Sequence, residues 1–355
     1  MHSIRALLLL FCAAGLTSCG NSASRPNNSA PVATDVSIID ANGGQVWVGD
    51  QLYGSYNYID PEGDPEGATT FNWYRNGVVI SDTNALSYTI AEDDVGQRIS
   101  LQVMPAARTG SAIGTPIYSD ELSVDYFIGT RLPPQLFTSV HTQGTYTISF
   151  YLPEGYATSA RDYPVIYEFA SESAFNLHAD ILDAKARQVI LVSVNSGSER
   201  WVGDMTMPGA RSLYDFFVLE LVPFIDVQYR ADKKNRTLAG HSLGGLFVGL
   251  AMLFELPGAR NFSAFVSSDG TFSDQPEETR ALEKQLAENI SELPVTLILT
   301  AATGPSGNLF SVTGFHWELS QRNYTGFRLI YMPFDLLHEE IYGPSFAAAI
   351  DILFP

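Results

Sequence analysis

The chain has 355 residues, enough for two folded units of ordinary size. Hydrophobic residues make up 45% and charged residues 17%, a composition that favours a packed core over disorder. Acidic residues outnumber basic ones 39 to 20, and the net charge of −19 argues against nucleic acid as a partner. Both cysteines, Cys12 and Cys19, lie near the N-terminus. The rest of the chain therefore has no disulfide, cysteine-ligated zinc or cysteine nucleophile.

Residues 1–18 are predicted to be a lipoprotein signal peptide. Arg5 precedes an apolar run that is too short to span a bilayer permanently. The run closes on Leu16-Thr17-Ser18-Cys19, which resembles the bacterial lipobox, whose cysteine is acylated. An ordinary secretory signal with an incidental cysteine is the alternative. The sequence thus predicts export and a lipid anchor at Cys19 in the cell envelope, on the outer membrane, with the protein periplasmic or surface-exposed. Residues 19–30 are predicted to be a flexible tether.

Residues 31–125 are predicted to form an all-β sandwich, because short alternating runs are separated by turn residues. Asn76-Gly77 indicates a hairpin. The segment around Trp73 resembles the Ig-like repeats of bacterial surface proteins, in which Trp73 would fill the space between sheets. The acidic run 60–67 could in principle hold Ca²⁺, but its spacing is not that of an EF-hand and favours a solvated loop. The expected role of this module is spacing or weak surface binding.

Residues 126–355 alternate strand and helix patterns, which predicts a mostly parallel, doubly wound α/β sheet. The first strands are free to pair antiparallel, because no long helix separates them. The predicted strands are 146–152, 163–169, 188–194, 236–240, 264–267, 295–300 and 327–331. The predicted helices are 213–229, 246–256, 276–290 and 345–354.

The motif Gly240-His241-Ser242-Leu243-Gly244 follows a predicted strand and opens a predicted helix. That context suits a nucleophile elbow, in which a strained turn exposes the serine hydroxyl and flanking glycines avoid clashes. A glycine-serine turn that only caps a helix is the structural alternative. In the catalytic interpretation, Ser242 is the nucleophile and the backbone amide of Leu243 faces the developing oxyanion.

A serine nucleophile needs a base, and the chain has six histidines. Hydrolases with a nucleophile elbow carry their triad in the chain order serine, acid, histidine. His338 follows the last predicted strand and is therefore the predicted base. His178 lies in a helical stretch and His316 stands beside Trp317. His241 is expected to point away from the reacting centre.

The stretch Thr237 to Phe247 resembles the esterase family of α/β hydrolases that contains the enterochelin (siderophore) esterases. Leu152-Pro153-Glu154-Gly155-Tyr156 and the segments 199–208 and 220–226 agree with that resemblance. It covers residues 126–355 and implies an α/β-hydrolase fold with esterase activity, leaving the β module unexplained.

Two features depart from the family pattern. Members commonly read Leu-Asp-Gly where this chain has Ala170-Ser171-Glu172, so the second oxyanion donor is predicted to be the amide of Ser171, with Glu172 as the alternative. The loop 301–308 has no carboxylate where the fold usually places the acid. Asp269, at the end of the preceding strand, is the predicted acid, although a turn-capping role is equally compatible with its Asp-Gly context. Asp274, Asp335 and a Ser-His dyad are the alternatives. Arg200 and Asp204 are predicted to pair and brace the site, with binding of an anionic substrate group as the alternative.

The sequence therefore predicts an exported serine esterase that forms an acyl-enzyme on Ser242 with His338 as general base. A surface-anchored binding protein with a degraded hydrolase fold is the main alternative. Peptidase or acyltransferase activity on the same residues is a third possibility. The expected substrate is a small-molecule or glycan-linked ester, and neither a metal nor an organic cofactor is indicated.

Overall fold

The computed structural model describes residues 28–41, 43–81, 84–197, 200–255 and 260–355. The predicted signal peptide, Cys19 and most of the predicted tether lie outside these ranges. No helix in the described ranges combines the length and apolar character needed to cross a bilayer.

The N-terminal third is all-β, apart from a 3₁₀ turn at Glu92–Asp94. One sheet has the order β1-β2-β5, and the other has the order β4-β3-β6-β7 with β8 also paired to β6. Trp73 is fully buried, as expected for a residue between sheets. The Ig-like resemblance and the boundaries 31–125 and 126–355 remain predictions. The strands are β1 (Val32–Asp40), β2 (Gln51–Ile59), β3 (Thr70–Arg75), β4 (Val78–Ser81), β5 (Ser87–Thr89), β6 (Arg98–Met104), β7 (Ile117–Tyr118) and β8 (Leu122–Ser123).

The chain divides into two compact units, of which the second comprises Asp40–Leu52, Tyr88–Ile99 and Leu122–Pro355. The second unit contains a sheet of order β16-β15-β14-β13-β11-β12-β10-β9. β10 pairs antiparallel with β9 and β12, and the strands from β11 to β16 run parallel. The mostly parallel sheet with antiparallel first strands is confirmed. Its strands are β9 (Thr130–Thr138), β10 (Thr145–Leu152), β11 (Tyr163–Phe169), β12 (Ile190–Asn195), β13 (Ala231–His241), β14 (Ala264–Ser268), β15 (Thr296–Ala302) and β16 (Arg328–Phe334).

Helices cover the central strands, which are buried on both faces as parallel strands must be. α5 is almost wholly buried, which suits a helix that is apolar on every side. The helices are α1 (Glu172–Ala184), α2 (Trp201–Met205), α3 (Gly209–Phe216), α4 (Val222–Gln228), α5 (Leu243–Phe254), α6 (Pro276–Asn289), α7 (Leu309–Ser320) and α8 (Tyr342–Leu353). The loops that follow β11, β13, β14 and β16 meet at the carboxyl ends of the parallel strands, where ligands of such sheets bind.

β9 and α7 are among the elements that were not predicted. β9 contains Pro133 and Pro134, which argue against a strand, but β9 lies at the edge of the sheet, where a missing N–H is tolerated. α7 contains β-branched residues and a glycine, yet Val312, Phe315 and Leu319 are buried on one face of the helix. In both elements the tertiary environment overrides the local preference.

The helix predicted over 213–229 is interrupted. α3 ends at Phe216, Phe217–Leu221 form a π-helical segment, and α4 begins at Val222. Pro223 stands at the start of α4. Proline cannot donate the backbone hydrogen bond that a continuous α-helix needs, and a wider turn before it accommodates that loss.

Candidate active site

The turn at Ser242 joins a buried strand to a buried helix. β13 ends at His241, α5 begins at Leu243, and Ser242 between them has φ 58° and ψ −119°. A non-glycine residue at positive φ is strained, and such strain persists only where the surrounding structure imposes it. A Cβ at Gly240 would lie 2.4 Å from the backbone oxygen of Gly244, so the turn requires glycine there. The turn places Ser242 at the N-terminus of α5.

His338 lies on the loop between β16 and α8. Its Nε2 is 2.9 Å from Ser242 Oγ. The backbone N–H of His338 donates to Ser306 Oγ at 3.0 Å, which ties this loop to the one that follows β15. The His338 side chain is 24% exposed, so the imidazole can meet both the serine and an incoming solvent molecule.

Asp269 lies directly after β14 and is completely buried. Its Oδ2 is 2.6 Å from His338 Nδ1. Its Oδ1 accepts hydrogen bonds from the backbone N–H groups of Ala302 at 2.9 Å and Asn308 at 3.1 Å. Of the other nominated acids, Asp335 accepts from Thr303 Oγ1 at 3.4 Å, and the backbone N–H of Asp274 donates to the backbone oxygen of Thr271 at 3.0 Å. The structure thus brings Ser242, His338 and Asp269 into one hydrogen-bonded line.

Asn308 is a site residue that the sequence did not reveal. Its Nδ2 donates to the backbone oxygen of Asp269 at 2.9 Å and lies 3.4 Å from both Asp269 Oδ2 and His338 Nδ1. The loop 301–308, which has no carboxylate, therefore supplies donors that hold an acid from the neighbouring strand. The sequence signal was this missing carboxylate, but identifying Asn308 required the fold.

The predicted oxyanion donors lie at the starts of two helices. The amide of Leu243 is the first of α5, and the first amides of a helix have no partner within it. The Ala170 amide donates to Val194 O at 3.0 Å, so Ser171 is the next residue with an amide at the open start of α1. Phe169, at the end of β11, pairs in register with Gly240. The strand that leads to Ser171 therefore ends beside the Ser242 turn.

The expectation for His241 was wrong. Its ring does not point away from the reacting centre but stacks on the ring of His338, with centroids 4.5 Å apart and planes 30° from parallel. On its other face it stacks on Tyr342 at 4.8 Å. Burial, followed by the proximity of His338, lowers the pKa of His241 from 6.5 to about 4. His241 is therefore neutral near pH 7.

Arg200 and Asp204 form the predicted pair. Arg200 Nη2 lies 2.9 Å from Asp204 Oδ1 and also donates to the backbone oxygen of Thr142 at 2.8 Å. Tyr146 donates to Asp204 Oδ2 at 2.9 Å. These contacts tie α2 to β10, which agrees with bracing.

A pocket of about 280 Å³ opens between α6 and α7. It is mostly apolar, and its lining includes Phe272, Phe310, Gly314 and Phe315. Phe272 stacks on Phe315 at 4.2 Å to form a buried floor, whereas Phe310 is 94% exposed at the rim. The segments that line the pocket begin three residues after Asp269 and two residues after Asn308 in the sequence.

The acidic run 60–67 is organised by its own hydrogen bonds. Asp60 Oδ1 accepts from the amides of Glu62 at 3.0 Å and Asp64 at 2.9 Å. Within the described residues, no group of three or more histidine, cysteine, aspartate or glutamate side chains is placed to hold a metal ion.

Comparison with known proteins finds similarity to esterases. Residues 139–297 match the Esterase family model, described as "Putative esterase". Esterase MT1326 of Mycobacterium tuberculosis is 31% identical over 108 residues, which cover 28% of this chain and 24% of that protein. Ferri-bacillibactin esterase BesA of Bacillus subtilis is 47% identical over 51 residues, or 14% of this chain and 17% of that protein. The chain therefore spans a quarter or less of the length of these curated relatives.

Two solved structures are similar in fold. An IroE-like serine hydrolase from Shewanella oneidensis has a TM-score of 0.54 and 23% identity, covering 64% of this chain and 80% of that chain. The BES protein from Bacillus cereus has a TM-score of 0.55 and 18% identity, covering 63% of this chain and 96% of that chain. The sequence match thus supports the esterase family, and these two structures share the fold of the α/β part of this chain.

Proposed function

We propose that the protein is a serine hydrolase of carboxylic esters that works through an acyl-enzyme on Ser242. The observation that carries this proposal is the contact of 2.9 Å between Ser242 Oγ and His338 Nε2, continued by the contact of 2.6 Å between His338 Nδ1 and Asp269. Support at the family level comes from the Esterase match.

The first half of the reaction transfers the acyl group to the enzyme. Asp269 accepts a hydrogen bond from His338 Nδ1–H, which holds the ring in the tautomer whose Nε2 is unprotonated and can take the proton of Ser242 Oγ. Oγ then attacks the ester carbonyl carbon, and the carbonyl oxygen gains a negative charge opposite the amides of Leu243 and Ser171. When the tetrahedral intermediate collapses, the C–O bond to the alcohol breaks, and Nε2–H returns its proton to the departing alcohol.

The second half releases the acid. A water molecule gives one proton to His338 Nε2 and attacks the acyl-enzyme carbon. The bond to Ser242 Oγ breaks, Oγ recovers the proton from Nε2, and a carboxylic acid leaves. No redox partner or cofactor enters this balance.

Labelling by a fluorophosphonate probe tests the proposal at its first step. An activated serine attacks phosphorus and keeps a covalent adduct, whereas an unactivated serine does not react. We expect a single adduct on the peptide that contains Ser242, located by mass spectrometry. The altered Ala170-Ser171-Glu172 loop favours a second candidate, a binding protein that has lost catalysis. Absence of labelling in a folded protein would reject the hydrolase in favour of that candidate.

We further propose that the protein is exported and anchored through acylated Cys19, on the motif Leu16-Thr17-Ser18-Cys19. In a bacterial host, the wild type is expected to incorporate tritiated palmitate and to sediment with membranes. The Cys19→Ser variant is expected to lose both properties. Palmitate incorporation that survives in this variant would remove Cys19 as the anchor.

A further inference from the structure

Two features of the second unit go beyond the proposed reaction: the apolar pocket between α6 and α7, and the stack of rings beneath the base. We propose that the pocket binds the alcohol part of the ester, and that it selects uncharged aryl or bulky alkyl alcohols. This inference rests on the proposed function, because it assigns an occupant relative to Ser242.

The order of strands decides which half of the ester faces the pocket. Ser242 follows β13, and the proposed donor Ser171 follows the adjacent strand β11 on one side. Asp269, Asn308 and His338 follow β14, β15 and β16 on the other side. The departing oxygen must face the imidazole that protonates it. The pocket is lined by the segments that follow Asp269 and Asn308, which lie on the His338 side of Ser242 in the strand order, and the proposal therefore assigns it to the departing alcohol.

The lining indicates an apolar, uncharged occupant. Phe272 and Phe315 form the floor, and Phe310 exposes nearly its whole ring at the rim. The cation at the pocket, Arg280, is already paired with Glu318 at 3.1 Å. The loop that carries His338 also includes Asp335, Glu339 and Glu340. The negative charges of these three side chains would repel an alcohol that carries a carboxylate or a sulfonate.

The size agrees with an aromatic alcohol of one or two rings. An apolar cavity of about 150 Å³ accommodates benzene, and this pocket measures about 280 Å³. Gly314 forms part of the wall, and a Cβ added there meets nothing within 4 Å. A larger residue at 314 can therefore fill the pocket without disturbing α7.

Gly314→Leu tests the assignment, with Thr313→Leu as the matched control. Thr313 is the neighbouring residue of α7, is exposed, and does not line the pocket. For Gly314→Leu we expect kcat/KM on 2-naphthyl acetate to fall about tenfold or more, while ethyl acetate is hydrolysed as by the wild type. The ratio of ethyl hexanoate to ethyl acetate hydrolysis should not change. Thr313→Leu should match the wild type on all three.

The outcomes separate the pocket from the reaction. An unchanged rate on 2-naphthyl acetate, or an equal loss on ethyl acetate, overturns the alcohol assignment. A changed hexanoate ratio assigns the pocket to the acyl chain and also overturns it. Binding of 2-naphthol to Ser242→Ala, measured by its fluorescence, tests the pocket without hydrolysis: weaker binding after adding Gly314→Leu is expected, and equal binding contradicts the proposal. If Ser242 takes no fluorophosphonate, the proposed function fails independently.

A second inference comes from the ring contacts around His241. His241 lies between His338 and Tyr342, as described above. The rings of Tyr342 and His178 pack edge to face with their centroids 4.4 Å apart, and His178 Nδ1 lies 2.6 Å from Glu168 Oε2. Both His178 and Glu168 are buried. His338 is thus the first of a series of contacting rings that continues through His241 and Tyr342 to His178, and the carboxylate of Glu168 holds His178.

We infer that His241 is a positioning residue that keeps the His338 imidazole aimed at Ser242. The hydrogen bond to Asp269 fixes Nδ1 but leaves the ring free to tilt about that contact, and a flat neighbour at 4.5 Å limits the tilt. The stack must also be neutral, because His338 gains a positive charge in the reaction. Besides His338, the groups that face His241 are Asp269, Ser268, Tyr342 and His178. Burial keeps the ring uncharged near pH 7.

His241→Ala and His241→Phe test this role together. Removing the ring is expected to lower kcat on p-nitrophenyl acetate about tenfold or more, because small misplacements of a reacting group are costly. KM should stay within about twofold. Phenylalanine restores a flat neutral ring and should recover most of the lost kcat. The matched control is His316→Ala, which removes a ring tilted by 32° against that of Tyr331 with centroids 5.0 Å apart, and it should leave kcat unchanged.

The same variants can also contradict the positioning role of His241. Wild-type kcat in His241→Ala, or equal losses in the alanine and phenylalanine variants with unchanged melting temperatures, would contradict a positioning role. If His241→Ala does not fold, the rate constant for fluorophosphonate labelling of His241→Phe decides. A rate near the wild type supports the inference, and a loss of tenfold or more opposes it.

Discussion

Replacing Ser242 by alanine is expected to lower kcat for ester hydrolysis about 10⁶-fold. The variant loses the atom that becomes acylated, and His338 Nε2 loses its partner at 2.9 Å. A residual rate above that in water should remain, because the proposed oxyanion amides belong to the backbone. Steady-state hydrolysis of p-nitrophenyl acetate and of an unactivated ethyl ester measures the effect.

Ser320→Ala provides the control for this change. Ser320 ends α7, is exposed, and donates to the backbone oxygen of Trp317. It should retain wild-type kcat. Hydrolysis of the ethyl ester by Ser242→Ala at the wild-type rate would show that the nucleophile lies elsewhere.

Asp269→Asn should lower kcat about 10⁴-fold, as expected when the orienting acid of such a triad is lost. The asparagine oxygen must occupy the place that accepts from Ala302 N and Asn308 N, which turns its NH₂ towards His338 Nδ1. Nδ1 then accepts a hydrogen bond and the ring proton moves to Nε2. In that tautomer His338 cannot take the proton from Ser242. KM should change little, because the carboxylate does not touch the substrate.

The matched change is Asp335→Asn, on the loop that carries the base. Asp335 bonds to Thr303 Oγ1 rather than to His338, so this variant should keep the wild-type rate. A large loss of kcat in Asp335→Asn, together with wild-type kcat in Asp269→Asn, would show that Asp335 and not Asp269 is the acid. Equal activity of both variants with the wild type would instead support a Ser-His dyad.

Local patterns carried much of the prediction. The alternation of apolar runs and helical periods gave the parallel sheet, and the glycine spacing around Ser242 gave the turn. These signals are local, because a strained turn needs its small neighbours within the same few residues. The position of His338 after the last strand followed from chain order.

Contacts between distant segments could not be predicted in the same way. Asn308 acquires its place only when the loop after β15 folds over Asp269, and no pattern in the loop itself marks it. The orientation of His241 depends on rings from α8 and the His338 loop. β9 and α7 form against their own composition, since the sheet edge and the core supply what local preference lacks.

Asn308 also has a mechanical consequence. It is the residue immediately before α7, so the same short piece of backbone restrains the carboxylate of Asp269 and leads into the helix that bears Phe310. A shift of α7 that made room for a wider leaving group would be expected to move the Asn308 donors away from Asp269. If the pocket binds the alcohol as proposed, we expect a change in leaving-group selectivity at α7 to be accompanied by a change in kcat.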